Sequence, residues 1–194
     1  MYIVLEILTG YLVGSIPSGY LLAKYFGHID VRAFGSGSTG ATNVFRSGHK
    51  KLGALTLLLD FLKGLLLCLA FAQSDNIYWI AFACLIGHAF PIWLGWRGGK
   101  CVAASAGIFM ALDPTYALVS ILFCALTLKL SDISALASLV LGSCFTLCTL
   151  AGYCVGVSAA GLCIFSFLVL VILLVTHRSN LKRLIAHEEG RLRL

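Results

Sequence analysis

The sequence predicts an all-α protein: a polytopic integral membrane helix bundle of about seven transmembrane helices, with its N-terminus outside and its C-terminus in the cytoplasm. Three observations predict it. Of 194 residues, 60% are hydrophobic and only 11% charged, with a mean hydropathy of +0.98, whereas soluble domains run at about 45–50% apolar and about 25% charged. The apolar residues gather into segments long enough to span a bilayer, roughly 20 residues each. Thirteen of the fourteen Lys and Arg residues lie in or beside every second connection, which is the positive-inside pattern. A soluble globular domain and a disordered chain are both excluded, and too little chain lies between the segments for a separate soluble domain.

In order, the apolar segments fall at about 3–26, 53–72, 77–95, 99–112, 114–130, 133–151 and 155–176. The first contains Gly14 and Pro17 and runs too long for a signal peptide, so it is expected to stay in the mature chain. Glu6, near its outer end, reaches the interface. Asp60 and Lys63 in the second are spaced to pair on one helix face, which lowers the cost of burying them. The third ends at Pro91, a helix breaker followed by Trp93 and Trp96, residues suited to the membrane interface. The apolar run from Val102 to Leu128 is too long for one untilted span, and Asp113 with Pro114 supplies the turn that divides it; the alternative count, with the fourth segment not crossing, is about five or six spans. The connections at 27–52, 96–101, around Lys129 and the tail from Arg178 to Arg193 are basic, while those at 73–76, 113 and 152–154 contain no Lys or Arg. The basic set is therefore cytoplasmic.

The net charge of +6 follows from that bias, and no interleaving of aromatic and basic residues points to nucleic acid. Seven of the eight cysteines lie in or at the edges of apolar runs and read as small hydrophobes. No pair of CxxC motifs at zinc spacing suggests a metal, and no cofactor is implied.

Three cytoplasmic stretches carry the chemistry. The first is Gly35–Ser36–Gly37–Ser38–Thr39–Gly40–Ala41–Thr42–Asn43, with Arg46 following. Its glycines let backbone N–H groups approach a ligand, its hydroxyls add donors, and the guanidinium grips phosphate oxygens, so it reads as an anion cradle. No GK[ST] closes it, so it is not a nucleotide-binding P-loop; the competing reading is a flexible linker. The second runs from Gly87 and His88 to Gly98, Gly99 and Lys100, and delivers two exposed amides beside a point charge, a seat for phosphate or carboxylate. His88 lies inside the apolar segment, where an ionisable group is either functional or satisfied within the bundle. The third, His177 to Leu184, reads as an amphipathic helix with His177, Asn180 and Arg183 or Leu184 on one face and Leu181, Leu184 and Ile185 against lipid; the competing reading is a surface helix held by anionic lipid. Glu189 follows in a tail that reads as solvated.

Taken together, GSGSTGATNVFR, GHAFPIWLGWRGGK and HRSNLKRL, in this order, resemble the bacterial acyl-phosphate-dependent glycerol-3-phosphate acyltransferases, the PlsY family. Gly14, Ser15, Ile16, Pro17 and Gly19, Asp30 and Arg32, and Asp60, Lys63 and Gly64 share the likeness, which covers nearly the whole chain. The resemblance implies a single transmembrane acyltransferase domain over residues 1–194 in the bacterial inner membrane, with its active site facing the cytoplasm. It implies transfer of a fatty acyl group from acyl phosphate to the 1-hydroxyl of glycerol 3-phosphate, giving lysophosphatidic acid for phospholipid synthesis, with membrane lipid and an acyl-phosphate-producing enzyme as partners. It assigns Ser36, Arg46, Lys100, His177 and Asn180 to catalysis. Gly35, Gly37, Gly40, Thr42, Asn43, His88, Gly98, Gly99 and Arg183 stand with them as substrate-binding candidates, and Glu189 matches a structural position. The chain departs from the family at Ser38 (usually Asn), Ala104 (often Thr), and at Cys101 and His187 (usually Gly), the last two where only glycine reaches positive φ cheaply.

An acyl phosphate is a mixed anhydride with a good leaving group, so direct attack by the hydroxyl needs no covalent serine step, and the Ser36 loop lacks the flanks of a nucleophile elbow. No His–carboxylate couple stands out by spacing as a general base, which favours a phosphate oxygen of the acyl donor as proton acceptor over His88 or His177. The alternatives are a small anion (phosphate) membrane transporter, against which ionisable residues inside the spans are sparse, and a non-catalytic scaffold packing partners on Gly142, Gly152, Gly156 and Gly161.

Overall fold

The computed structural model describes residues 2–192; Arg193 of the basic tail lies outside them. Among the described residues all regular structure is helical: α1 (Tyr2–Gly14), α2 (Ser18–Phe26), α3 (Ala41–Arg46), α4 (Lys50–Ala70), α5 (Ile77–Ala89), α6 (Val102–Leu112), α7 (Pro114–Ser131), α8 (Ser134–Cys154), α9 (Ala160–Thr176) and α10 (Arg178–Ile185). Each of the seven apolar segments forms helix. Among the described residues five helices are long and apolar enough to cross a membrane, or six if α9 and α10, bent by 67°, form one broken span. The predicted segment at 99–112 falls short because its helix begins only at Val102. Its 11 residues rise about 16 Å, against a hydrocarbon core of about 30 Å.

The chain divides into two compact units, residues 1–108 and 109–194. In the first, glycines set how closely helices approach. A Cβ on Gly14 would fall on the Cys84 carbonyl, one on Gly87 on the Tyr11 carbonyl, and one on Gly10 would lie 2.5 Å from the Ile80 oxygen. Small residues four apart pack membrane helices where lipid is as apolar as leucine. Gly64 of α4 meets the Ala104 carbonyl in the same way, and Gly107 meets that of Phe61. The first predicted segment is broken between α1 and α2 because Pro17 offers no N–H to continue the ladder. Glu6 does more than reach the interface: its Oε2 accepts from Ser74 Oγ at 3.1 Å and Asn76 Nδ2 at 2.9 Å, pinning the α4–α5 connection to α1.

In the second unit, Asp113 caps α7, its Oδ1 accepting from Tyr116 N at 3.0 Å with Pro114 in the first turn, so the predicted division is a true helix start. The Phe109 and Phe145 rings stack at 3.7 Å with Tyr116 edge-on to Phe145. Across α8 and α9, Thr149 and Ser166 share a hydrogen bond at 2.8 Å and Thr146 Oγ1 donates to the Ser166 carbonyl at 3.1 Å. Gly142 lies under the Leu173 side chain, and Gly152 against Ser158 and Tyr116. These two glycines pack within the chain, as against the partner-binding face of the scaffold reading. The C-terminal residues fold back, with Leu192 N donating to the Asp132 carbonyl at 2.6 Å and its side chain buried.

Candidate active site

The glycine-rich loop is an ordered structure organised by one side chain. Asn43, at 2% exposure, directs its Nδ2 at three carbonyls, Val31 at 2.9 Å, Phe34 at 3.0 Å and Ser38 at 2.8 Å. Its Oδ1 accepts from Ser36 N at 3.1 Å. Gly35 and Gly37 take φ of +51° and +68°, a region that costs other residues about 1–2 kcal/mol, and a Cβ on Gly35 would lie 2.5 Å from Asn43 Oδ1. Gly40 differs: it stands at the N-cap of α3 with ordinary dihedrals and only Ser38 Oγ near its missing Cβ. The result leaves Ser36 exposed at the crest and Arg46 exposed at the end of α3, with Thr42 half-buried in its first turn. Arg46 Cδ lies 4.0 Å from the position a Cβ on Gly35 would take. Before the loop, the Arg32 guanidinium meets Asp30 at 2.7 Å, holding that carboxyl below its ordinary value of 3.8, and lies 4.8 Å over the Tyr20 ring.

The second stretch doubles back on the end of α5. Pro91 ends the helix, Gly95 and Trp96 turn the chain at φ of +59° and +65°, and Gly98 N and Gly99 N then donate to the Ala89 and His88 carbonyls at 3.0 and 2.9 Å. Neither is therefore the exposed amide that the sequence suggested, and of Gly98, Gly99 and Lys100 only the lysine carries the anion-binding group. The first and second stretches are joined directly: Thr39 N donates to the Gly98 carbonyl at 3.3 Å, and Ser38 Oγ to the same oxygen at 3.4 Å. Gly99 lies against the face of the buried His88 imidazole, which a Cβ would penetrate, and Lys100 follows, half-buried. Below, Lys63 Nζ meets Asp60 Oδ1 at 2.9 Å, and His88 Nδ1 stands 3.8 Å from that same oxygen.

In the second unit the bend between α9 and α10 buries His177 and Asn180, each at 2% exposure. His177 Nδ1 lies 2.9 Å from the Leu173 carbonyl, so the neutral ring carries its proton there and its lone pair on Nε2. Glu189 is no solvated tail residue. Its side chain, 2% exposed, accepts from Asn180 Nδ2 at 2.8 Å and Arg183 Nε at 2.7 Å, fixing both on the face read from the sequence.

The glycerol-3-phosphate acyltransferase family model matches residues 4–187. The chain is 40% identical over 192 residues to the glycerol-3-phosphate acyltransferase of Pelagibacter ubique, covering 96% of each. It is 38% identical over 193 residues to that of Mesorhizobium japonicum, covering 98% of this chain and 96% of the other. This chain belongs to the glycerol-3-phosphate acyltransferase family. Its structure is similar to the crystal structure of PlsY, an integral membrane glycerol 3-phosphate acyltransferase, in the glycerol 3-phosphate form, with a TM-score of 0.90 and 31% identity over 98% of this chain and 96% of that one. To the lysophosphatidic acid form the TM-score is 0.87, with 30% identity over 98% and 95%.

Membership in a family of integral membrane acyltransferases sets aside the anion-transporter reading. The departures from the family pattern also find their place. Cys101 and His187 hold φ of +68° and +56°, so the backbone keeps a glycine-like path through residues that pay strain for it. Cys101 is compensated: it is fully buried and its Sγ donates to the Leu85 carbonyl at 3.2 Å. Ser38 keeps a polar link, its Oγ accepting from Gly40 N at 3.2 Å. Reading the sequence missed the bracing role of Asn43 and the couple formed by His88 and Asp60. The available signal was that Asp60, Lys63 and His88 are ionisable residues within apolar segments, where charge has to be compensated by a neighbour.

Proposed function

We propose that this chain transfers a fatty acyl group from acyl phosphate to the 1-hydroxyl of glycerol 3-phosphate, releasing phosphate and lysophosphatidic acid, at the cytoplasmic face of the bacterial inner membrane. The observation that carries this is the hydrogen-bonded junction of the Ser36 loop with the Gly98–Lys100 turn, Thr39 N to Gly98 O at 3.3 Å. That junction holds a hydroxyl-and-guanidinium cradle beside a glycine–lysine seat, as two phosphorylated substrates require.

In this reading Lys100 seats the phosphate of glycerol 3-phosphate from a turn that Gly98 and Gly99 shape, their own N–H groups being spent on the Ala89 and His88 carbonyls, and Ser36 and Arg46, with Thr42 near them, hold the acyl phosphate. The hydroxyl oxygen attacks the acyl carbon, the carbon–oxygen bond to phosphate breaks, and the hydroxyl proton passes to an oxygen of the departing phosphate. Nothing is oxidised or reduced, and no enzyme-bound acyl group forms. Positioning and charge stabilisation supply the rate. Asn43 braces the cradle. From the second unit, His177 and Asn180 serve the chemistry, Arg183 contacts phosphate, and Glu189 holds the last two in place. The donor comes from a partner enzyme that makes acyl phosphate.

The test is formation of lysophosphatidic acid by the purified protein in lipid, given glycerol 3-phosphate with palmitoyl phosphate or palmitoyl-CoA, beside Ser36→Ala and Lys100→Ala. Product from the acyl phosphate alone, lost in both variants, is expected. Product from palmitoyl-CoA alone refutes the donor assignment, and full activity in both variants refutes the site.

A further inference from the structure

Deep in the first unit three ionisable side chains meet. Lys63 is 8% exposed, Asp60 3% and His88 7% at the side chain. Burying charge in a membrane protein is expensive, and such groups persist where they pair and serve a function. Lys63 Nζ binds two partners, Asp60 Oδ1 at 2.9 Å and the Ile16 carbonyl at 3.1 Å. That carbonyl belongs to the break between α1 and α2, where Pro17 leaves the backbone short of a donor. The ammonium therefore ties the break in the first span to α4. The His88 ring packs beside this ion pair, its Nδ1 3.8 Å from Asp60 Oδ1, so the end of α5 rests on the pair that α4 carries.

His88 carries the connection upward by two routes. Its carbonyl accepts from Gly99 N at 2.9 Å, and its imidazole occupies the space where a Cβ on Gly99 would stand. The residue after Gly99 is Lys100. The path from the Pro17 break through Lys63, Asp60 and His88 to the Gly99 backbone is thus a continuous set of contacts within one unit.

Building on the reading of Gly98–Lys100 as the glycerol 3-phosphate seat, we propose that Asp60, Lys63 and His88 are positioning residues for that seat: a buried charge-balanced brace whose shape and charge set the height of the Gly99 backbone and hence of Lys100. None of the three touches the reacting atoms. Their influence is on acceptor binding, and the acyl phosphate is held elsewhere, on the Ser36 loop.

The experiment uses the full chain in lipid and measures initial rates against each substrate in turn. The double variant Asp60→Asn with Lys63→Gln removes both charges together, so no orphan charge is left buried. It is expected to raise KM for glycerol 3-phosphate about tenfold or more, with KM for palmitoyl phosphate and the thermal unfolding midpoint unchanged. Gly99→Ala is expected to lose acceptor binding in the wild-type background, and to regain a large part of it when combined with His88→Ala, which empties the space the new methyl needs. A double variant with wild-type KM for glycerol 3-phosphate, or one in which both KM values rise and the unfolding midpoint falls, overturns the proposal, the latter by showing that the brace serves the bundle as a whole. Gly99→Ala equally impaired with and without His88 overturns it too. A wild-type protein that makes no lysophosphatidic acid refutes the acyltransfer reading itself, a result distinct from each of these.

Discussion

Asn43→Ala separates a residue that binds substrate from one that builds the binding site. Four hydrogen bonds end on this amide. Of their partners, the buried Val31 carbonyl keeps its second bond, from Phe34 N at 3.2 Å, so losing Asn43 costs it about 0.5–1 kcal/mol. Phe34 and Ser36 are exposed and Ser38 half-buried, so their groups find water and each lost bond costs about 0.5–1 kcal/mol. The sum, about 3 kcal/mol, acts on the ordering of the loop. At 1.4 kcal/mol per factor of ten, the ratio of ordered to disordered loop falls about 100-fold, and kcat/KM for lysophosphatidic acid formation falls with the ordered fraction. Asn43→Asp is expected to do no better: it keeps an acceptor for Ser36 N but sets carboxylate oxygen against carbonyls that Nδ2 approaches at 2.8–3.0 Å. Limited trypsin digestion at Arg32 and Arg46 should quicken in both variants while the overall unfolding midpoint moves little. An Asn43→Ala protein within about twofold of wild-type kcat/KM, with an unchanged digestion rate, refutes the bracing role.

Three further predictions follow from single backbone positions and one ion pair. Gly35→Ala abolishes activity, because it opposes both a left-handed φ and Asn43 Oδ1, whereas Gly40→Ala, with ordinary dihedrals and open space, retains it; equal effects in the rate assay would refute the distinction. His187→Gly raises the unfolding free energy by about 1 kcal/mol, since an exposed residue gives up a strained φ of +56°; denaturant unfolding in micelles checks it, and no gain would place the strain elsewhere. Asp30 has its folded pKa lowered by Arg32, so its pairing stabilises the fold above the ordinary carboxylate value and loses that contribution as pH falls through the lowered one. Arg32→Ala should therefore cost stability at pH 7, by no more than about 1 kcal/mol for so exposed a pair, and the difference from wild type should shrink as the pH is taken below the ordinary carboxylate value; a difference that grows on acidification contradicts the sign.

What was legible in the sequence was what depends on neighbours along the chain. Apolar runs, the Asp113–Pro114 turn and the helical face of His177, Asn180 and Arg183 all rest on local spacing, and the structure shows each of them. Span length was less legible, because hydropathy reports which residues avoid water and says nothing of where a helix starts; Gly98 to Cys101 stay outside the helix, with Gly98 N and Gly99 N committed to the end of α5 and Cys101 in a left-handed turn. Glu189 was misread for a related reason. A carboxylate near a chain end has no local cause to be buried, and only the return of the tail, fixed at Leu192 N to Asp132 O, brings it to Asn180 and Arg183.

The same distinction explains why the general-base question looked simpler in the sequence than in the fold. Sequence spacing offered no histidine with a carboxylate partner, yet the fold sets His88 of α5 beside Asp60 of α4, a contact that no local pattern records. That couple still does not restore a histidine base. Nδ1 at 3.8 Å is beyond hydrogen-bond reach of the carboxylate, Asp60 is already held by Lys63 at 2.9 Å, and the imidazole is covered by Gly99, whose replacement by any larger residue would displace it. A base has to reach the hydroxyl it deprotonates, and a ring enclosed by backbone on one side and an ion pair on the other is placed to hold structure. The pH–rate profile of His88→Asn should accordingly keep its shape while KM for glycerol 3-phosphate rises; loss of a limb of the profile would return His88 to the chemistry and remove it from the brace.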